Sequence, residues 1–107
     1  MATSLRIEAL GRYVPDRVVT AAEMDQLLGV SPGWVEKRTG VSQRHWVADE
    51  TPVCMAAAAA RDALKRSGLE AYDIDLIIYA AASPQQFIPD TASLVQRELG
   101  LGNSGTK

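Results

Sequence analysis

Asp75-Leu-Ile-Ile-Tyr-Ala-Ala-Ala82 is a continuous apolar run of strand length, and its reading decides the fold class. A strand with one wet face alternates apolar and polar residues, whereas an unbroken run is expected where both faces are covered. Upstream of it, Thr51-Pro52 to Gly68 reads as a long helix. Threonine is a good N-cap, proline is tolerated in the first turn, and Gly68 followed by Leu69 suits a C-terminal cap. The Ala56–Ala60 stretch gives this helix high propensity and almost no side-chain bulk, so its backbone can lie close against a sheet. Arg61, Asp62, Lys65 and Arg66 mark its wet side, and the last two suit the negative end of the helix dipole. Downstream, Pro89-Asp90 opens a helix with Leu94, Val95 and Leu99 on one stripe, ended by Gly100.

Toward the N-terminus, Ser4 to Val14 alternates loosely, with Leu5, Ile7 and Ala9 against Arg6 and Glu8, and stops at Pro15-Asp16. This predicts a strand ending in a turn. Thr20-Ala-Ala-Glu23 is a capping box with Val19 and Met24 placed as a hydrophobic staple, so a helix is expected over about Ala21 to Leu28, closed by Gly29. Ser31-Pro32 predicts a second short helix carrying Trp34 through Arg38 and ending near Thr39-Gly40. Val41 to Val47 reads as irregular or strand-like. The order strand, helices, strand, helix is that of an α/β protein with parallel pairing, here an incomplete sheet flanked by helices. The Leu76–Ala82 strand would need neighbours, yet residues 100–107 have loop composition. Alone, the chain would leave an unpaired apolar sheet edge, so a fragment of a larger protein or half of an obligate assembly is expected.

Composition narrows the function. At 107 residues the chain is one domain at most. With 47% hydrophobic and 22% charged residues and a net charge of -2, neither a disordered charged chain nor a nucleic-acid partner is expected. The apolar run falls far short of the roughly 20 residues of a membrane span, and the first residues lack a signal-peptide layout. A cytoplasmic protein that does not engage membranes is the expectation. One cysteine, Cys54, and one histidine, His45, exclude an intramolecular disulfide, a multi-cysteine zinc site and a self-contained histidine cluster, so no metal is expected.

The candidate for chemistry lies between Trp34 and Trp46, a window that also holds Lys37, Arg38, Arg44 and His45. Tryptophan offers a flat face for stacking on a heteroaromatic ring, and arginine a planar fork of donors for phosphate. Trp34 and Arg38 stand four residues apart, on one face of a helix, a spacing that suits an adenine nucleotide. The alternative is that both tryptophans are core residues and the basic side chains pair with Glu36, Asp49 or Glu50.

The stretch Val30-Ser-Pro-Gly-Trp-Val-Glu-Lys-Arg-Thr-Gly-Val-Ser-Gln-Arg-His45 resembles the tryptophan and arg-thr-gly segment of the β-ketoacyl-acyl-carrier-protein synthase III family, condensing enzymes of the thiolase superfamily. The opening segment ending in Tyr-Val-Pro, the alanine-rich helix, Leu76–Ala82, Ile88-Pro-Asp-Thr-Ala-Ser-Leu-Val-Gln96 and Glu98-Leu-Gly-Leu101 stand in the family's order. The resemblance covers the whole chain but only the first third of a family member. It implies that residues 1–107 are a partial N-terminal thiolase-like domain of a five-layered αβαβα fold, built as a homodimer. The implied activity condenses an acyl-CoA primer with malonyl-carrier protein in fatty-acid or related acyl-chain synthesis. Acyl-CoA is a substrate there, and no cofactor is implied. Trp34 would then stack on the adenine of coenzyme A, with Arg38 at the same end of the ligand. Ile88 would reach across the dimer interface to line the partner's acyl pocket.

The family's cysteine, histidine and asparagine fall beyond the matching segments. Cys54 reads as an incidental thiol and His45 as a structural or surface residue. Val30 stands where a polar residue is often found near the adenine, and the Ser83–Asp90 loop is closer to relatives of secondary metabolism, so the acyl substrate is open. A complementing C-terminal part is one expected partner. The alternative function is a non-catalytic module that pairs with a full-length ketosynthase or with acyl carrier protein.

Overall fold

In the computed structural model, which describes residues 3–102 and 104–106, the elements follow the order β1 (Arg17–Thr20), α1 (Ala21–Leu28), α2 (Trp34–Thr39), β2 (Gln43–Trp46), α3 (Pro52–Ser67) and α4 (Thr91–Glu98), with a 3-10 turn at Ala71–Asp73. They form two compact units: Val14–Glu50, and Met1–Tyr13 together with Thr51–Lys107.

In the Val14–Glu50 unit, β1 and β2 pair antiparallel, with Arg17 opposite Trp46 and Thr20 opposite Gln43. This antiparallel pair is separate from the parallel pairing that the element order predicted, which concerned Ser4–Val14 and Leu76–Ala82. Its cause is local: α1 and α2 form a compact connection that returns the chain beside the strand it left. The Ala21 amide helps by donating to the Ser42 carbonyl at 2.8 Å. At the start of α1, Thr20 Oγ1 accepts the Glu23 amide at 3.1 Å. The Glu23 carboxylate lies 3.6 Å from Arg17 Nη2, so the pair acts as a one-sided cap joined to an ion pair. Gly29 closes α1 in the left-handed region at φ 66. Helix α2 starts at Trp34, later than Ser31-Pro32 suggested, because residues 31–34 form a turn in which the Trp34 amide donates to the Ser31 carbonyl at 3.0 Å. Val19, Ala21 and Val35 are buried here.

The other unit is organised around α3. Its ends are as the sequence predicts, Thr51 before it and Gly68 after it. Thr51 Oγ1 accepts the Cys54 amide at 3.2 Å, and Gln85 Oε1 accepts the Val53 amide at 3.2 Å, so two first-turn donors that have no partner within the helix are satisfied. Val53 packs with Leu94 and Val95 of α4, joined by Ala56, Tyr79 and Leu99, the stripe read from the sequence. Arg61 closes the far end of α4 by donating to the Glu98 carbonyl at 2.6 Å. Leu101 is fully buried, and Gln96 Nε2 donates to the Leu101 and Thr106 carbonyls at 3.1 and 2.7 Å. Thr106 Oγ1 in turn donates to the Ile74 carbonyl at 2.7 Å.

The alanine face of α3 has the close neighbour its composition implied. A Cβ on Gly11 would lie 2.2 Å from the Ala59 carbonyl oxygen and 2.3 Å from the Ala63 nitrogen, well inside contact distance. Next to it, the Arg12 amide donates to Asp62 Oδ2 at 3.0 Å, and Arg66 Nε reaches both Asp62 oxygens at 3.1 Å.

Two predicted strands are not paired strands. Neither Ser4–Val14 nor Leu76–Ala82 joins a ladder among the described residues. A strand is defined by hydrogen-bonded neighbours, and neither segment finds any here. Their apolar side chains show the consequence: Ile77 and Tyr79 are half-buried while Leu76 and Ile78 face outward, Ile78 81% exposed. The covering on both faces expected for Leu76–Ala82 is absent among the described residues, and Leu5 is 95% exposed.

Two predictions follow from this packing. Gly11→Val should lower the unfolding free energy by about 1–3 kcal/mol, the usual cost of overpacking. Gly102→Ala, where an added Cβ meets nothing within 4 Å, should stay within about 0.5 kcal/mol in the same denaturant melts. Second, the Arg12 amide, and after it the Arg66 guanidinium, hold the Asp62 carboxyl below its ordinary value of 3.8. The bond is thus fully formed above the ordinary carboxylate range and is lost as pH falls through the lowered value. A carboxyl NMR titration should find Asp62 below that ordinary value, moving only part of the way back in Arg66→Gln because the Arg12 amide remains.

Candidate functional site

Trp34 is the first residue of α2 and Arg38 lies one turn later, so the helix puts both on one face. The Arg38 guanidinium carbon sits 5.0 Å from the Trp34 ring centroid, a cation–π contact. The indole is 41% exposed, which excludes a core role for it. Lys37 and Arg38 both lie in the last turn of α2, where positive charge complements the helix dipole, and both are exposed. The result is an aromatic face beside two cations.

A second pair of the same kind stands on the strands. Arg17 lies over Trp46 at 5.2 Å, across the register that makes them opposite residues. Trp46 is half-buried and Arg17 also meets Glu23, so this pair is spent on holding β1 to β2. Arg44 donates to the Val41 carbonyl at 3.4 Å. His45 Nδ1 lies 2.6 Å from the Pro15 carbonyl, which can only accept, so Nδ1 carries the proton and the ring staples the turn before β1. His45 is a structural residue, as its place in the sequence suggested.

Asp25 was not singled out by the sequence, yet it fixes this site. It is 4% exposed, and its carboxylate accepts the Gly33 amide on Oδ2 and the Val35 amide on Oδ1, both at 2.8 Å. These are the amides on either side of Trp34. The available signal was a charged residue four positions after Ala21, on the face of α1 that is buried.

Ile88 belongs to the other unit. It is 89% exposed beside Phe87 at 91%, in a loop with a cis Ile88–Pro89 bond, and Gln86 Nε2 donates to its carbonyl at 2.9 Å. Cys54 Sγ accepts the Thr51 amide at 3.1 Å and faces the Thr51 carbonyl at 3.3 Å, so the thiol completes the cap of α3. An apolar hollow of about 410 Å³ lies between Ile7, Leu64, Leu76 and Leu99; the two side chains with polar groups on its wall are Glu8, which pairs with Arg6, and Ser67, whose hydroxyl donates to the Leu64 carbonyl at 2.8 Å. Among the described residues no cluster of His, Cys, Asp or Glu could hold a metal, and no helix is long and apolar enough to cross a membrane.

No protein-family model matches the chain. Curated relatives do. The chain is 41% identical over 96 residues to the β-ketoacyl-[acyl-carrier-protein] synthase III of Roseobacter denitrificans, covering 89% of this chain and 30% of that protein. It is 44% identical over 103 residues to the 3-oxopimeloyl-[acyl-carrier-protein] synthase of Brucella abortus, covering 95% and 32%. Among solved structures, the 3-oxoacyl-[acyl-carrier-protein] synthase III of Aquifex aeolicus matches with a TM-score of 0.83 at 36% identity, covering 89% of this chain and 31% of that one. The chain thus spans about 30% of the length of the relatives it matches. In sequence and in fold it matches the N-terminal portion of the β-ketoacyl-[acyl-carrier-protein] synthase III family.

Proposed function

We propose that residues 1–107 form the N-terminal part of a thiolase-like ketosynthase that condenses an acyl-CoA primer with malonyl-carrier protein, and that their task is to bind the nucleotide end of coenzyme A. The observation that carries this reading is the exposed Trp34 ring with the Arg38 guanidinium 5.0 Å away on one helix face. An adenine stacks on indole through dispersion and offset π contact, and a guanidinium beside it meets phosphate with paired donors.

Chemistry at the thioester is assigned to residues outside this chain. In a covalent mechanism a thiolate attacks the acyl carbonyl and the coenzyme A thiolate leaves, which divides one difficult condensation into two easier steps. Cys54 is unsuited to that part, because its sulfur is engaged at the Thr51 backbone. Ile88, exposed in its loop, is suited to reach a second subunit and line its acyl pocket. Acyl carrier protein and a homodimeric or complementing partner belong to this reading, as does a cytoplasmic setting.

Coenzyme A titrated into the chain should bind, and Trp34→Ala or Arg38→Ala should each weaken it. Losing one charged phosphate contact costs about 1.5–3 kcal/mol, roughly a 10- to 150-fold rise in Kd. Unchanged affinity in both variants would show the site to be elsewhere. Incubated with acyl-CoA, the chain by itself should transfer no acyl group, and turnover by it would contradict the assignment of the nucleophile.

A further inference from the structure

We propose that Asp25 is a positioning residue for the Trp34–Arg38 surface, an inference that rests on that surface being the coenzyme A nucleotide site. Helix α2 has six residues, too few to be stable by itself, and its N-cap is Gly33 at φ 85, which brings no side chain to its first amides. The acceptors come from another helix. Asp25 gives one oxygen to Gly33 and one to Val35, so the two amides flanking Trp34 are tied to a single buried carboxylate. The Trp34 amide is held by the Ser31 carbonyl at 3.0 Å. Three consecutive amides are thereby fixed, and with them the Cα–Cβ direction of the indole.

The placement of Asp25 is unfavourable for α1 itself. It lies in the last half of α1, whose final turn holds no basic residue, where a negative charge opposes the helix dipole. Burying a carboxylate also removes hydration that must be replaced by strong hydrogen bonds. Its backbone carbonyl serves the same loop, accepting the Val30 amide at 3.0 Å and the Gly29 amide. Both polar groups of the residue therefore organise residues 29–35, and Arg38 stacks on the ring that they fix.

Asp25→Asn keeps the shape but turns one acceptor into a donor that faces an N–H. The test measures coenzyme A affinity, and the fluorescence anisotropy of Trp34 with Trp46→Phe in the background. Asp25→Asn should raise the Kd about tenfold or more and lower the anisotropy. It should add no further loss of affinity to Trp34→Ala, because its effect passes through that ring. Unchanged anisotropy and affinity, or effects that add in the double variant, would overturn the positioning role. If the parent chain binds no coenzyme A, the functional reading fails, and the anisotropy alone decides the positioning role. Should Asp25→Asn not fold, amide hydrogen exchange on the unaltered chain decides it: Gly33 and Val35 should be protected, and rapid exchange at both would refute it.

Discussion

The close approach of a backbone segment to the alanine face of α3 is the constraint on which the Thr51–Lys107 unit with its N-terminal segment depends. Contact at the distance found between Gly11 and Ala59 requires that neither partner carry bulk. Glycine on one side and Ala59 and Ala63 on the other meet that demand, and Asp62 on the same helix receives the next amide. The opposite end of α3 works differently, since Val53 enters a small apolar cluster with Leu94 and Val95. One helix thus anchors an N-terminal segment by proximity and a C-terminal helix by burial.

The Val14–Glu50 unit is held by few apolar side chains, and polar contacts compensate. Asp25 ties the α1–α2 loop, His45 ties Pro15, and Arg17 over Trp46 spans the two strands. A surface cation–π contact contributes only about 0.5–1 kcal/mol, so its main consequence is orientation. The two tryptophan–arginine pairs have similar distances and different settings. Trp46 is half-buried with its arginine engaged by Glu23, while Trp34 is exposed on a helix whose last turn is basic. That difference leaves the α2 pair with an aromatic face open to solvent, which is why the proposed nucleotide site is placed there and not at Trp46.

Helices were largely legible in the sequence because their signals are local. Thr20 and Gly29, and Thr51 with Pro52 and Gly68, mark boundaries the structure keeps. Strands were less legible, because pairing depends on a partner. The apolar run Leu76–Ala82 has the composition of a covered strand but joins no ladder among the described residues, while the strands that do pair there, Arg17–Thr20 and Gln43–Trp46, are four residues each, the first of them half valine and the second mostly polar. The neighbourhood of Trp34 and Arg38 followed from their spacing. Asp25 did not, since its role is set by a loop that brings Gly33 and Val35 back to it across eight and ten positions.

The claim that α2 presents a nucleotide-binding surface is tested most directly by following the two indole N–H signals while adenosine 3′,5′-bisphosphate and, separately, pantetheine are added. The nucleotide should shift the Trp34 signal saturably and leave Trp46 unmoved, and pantetheine should move neither. A silent Trp34, or one that responds to pantetheine as it does to the nucleotide, would contradict the account.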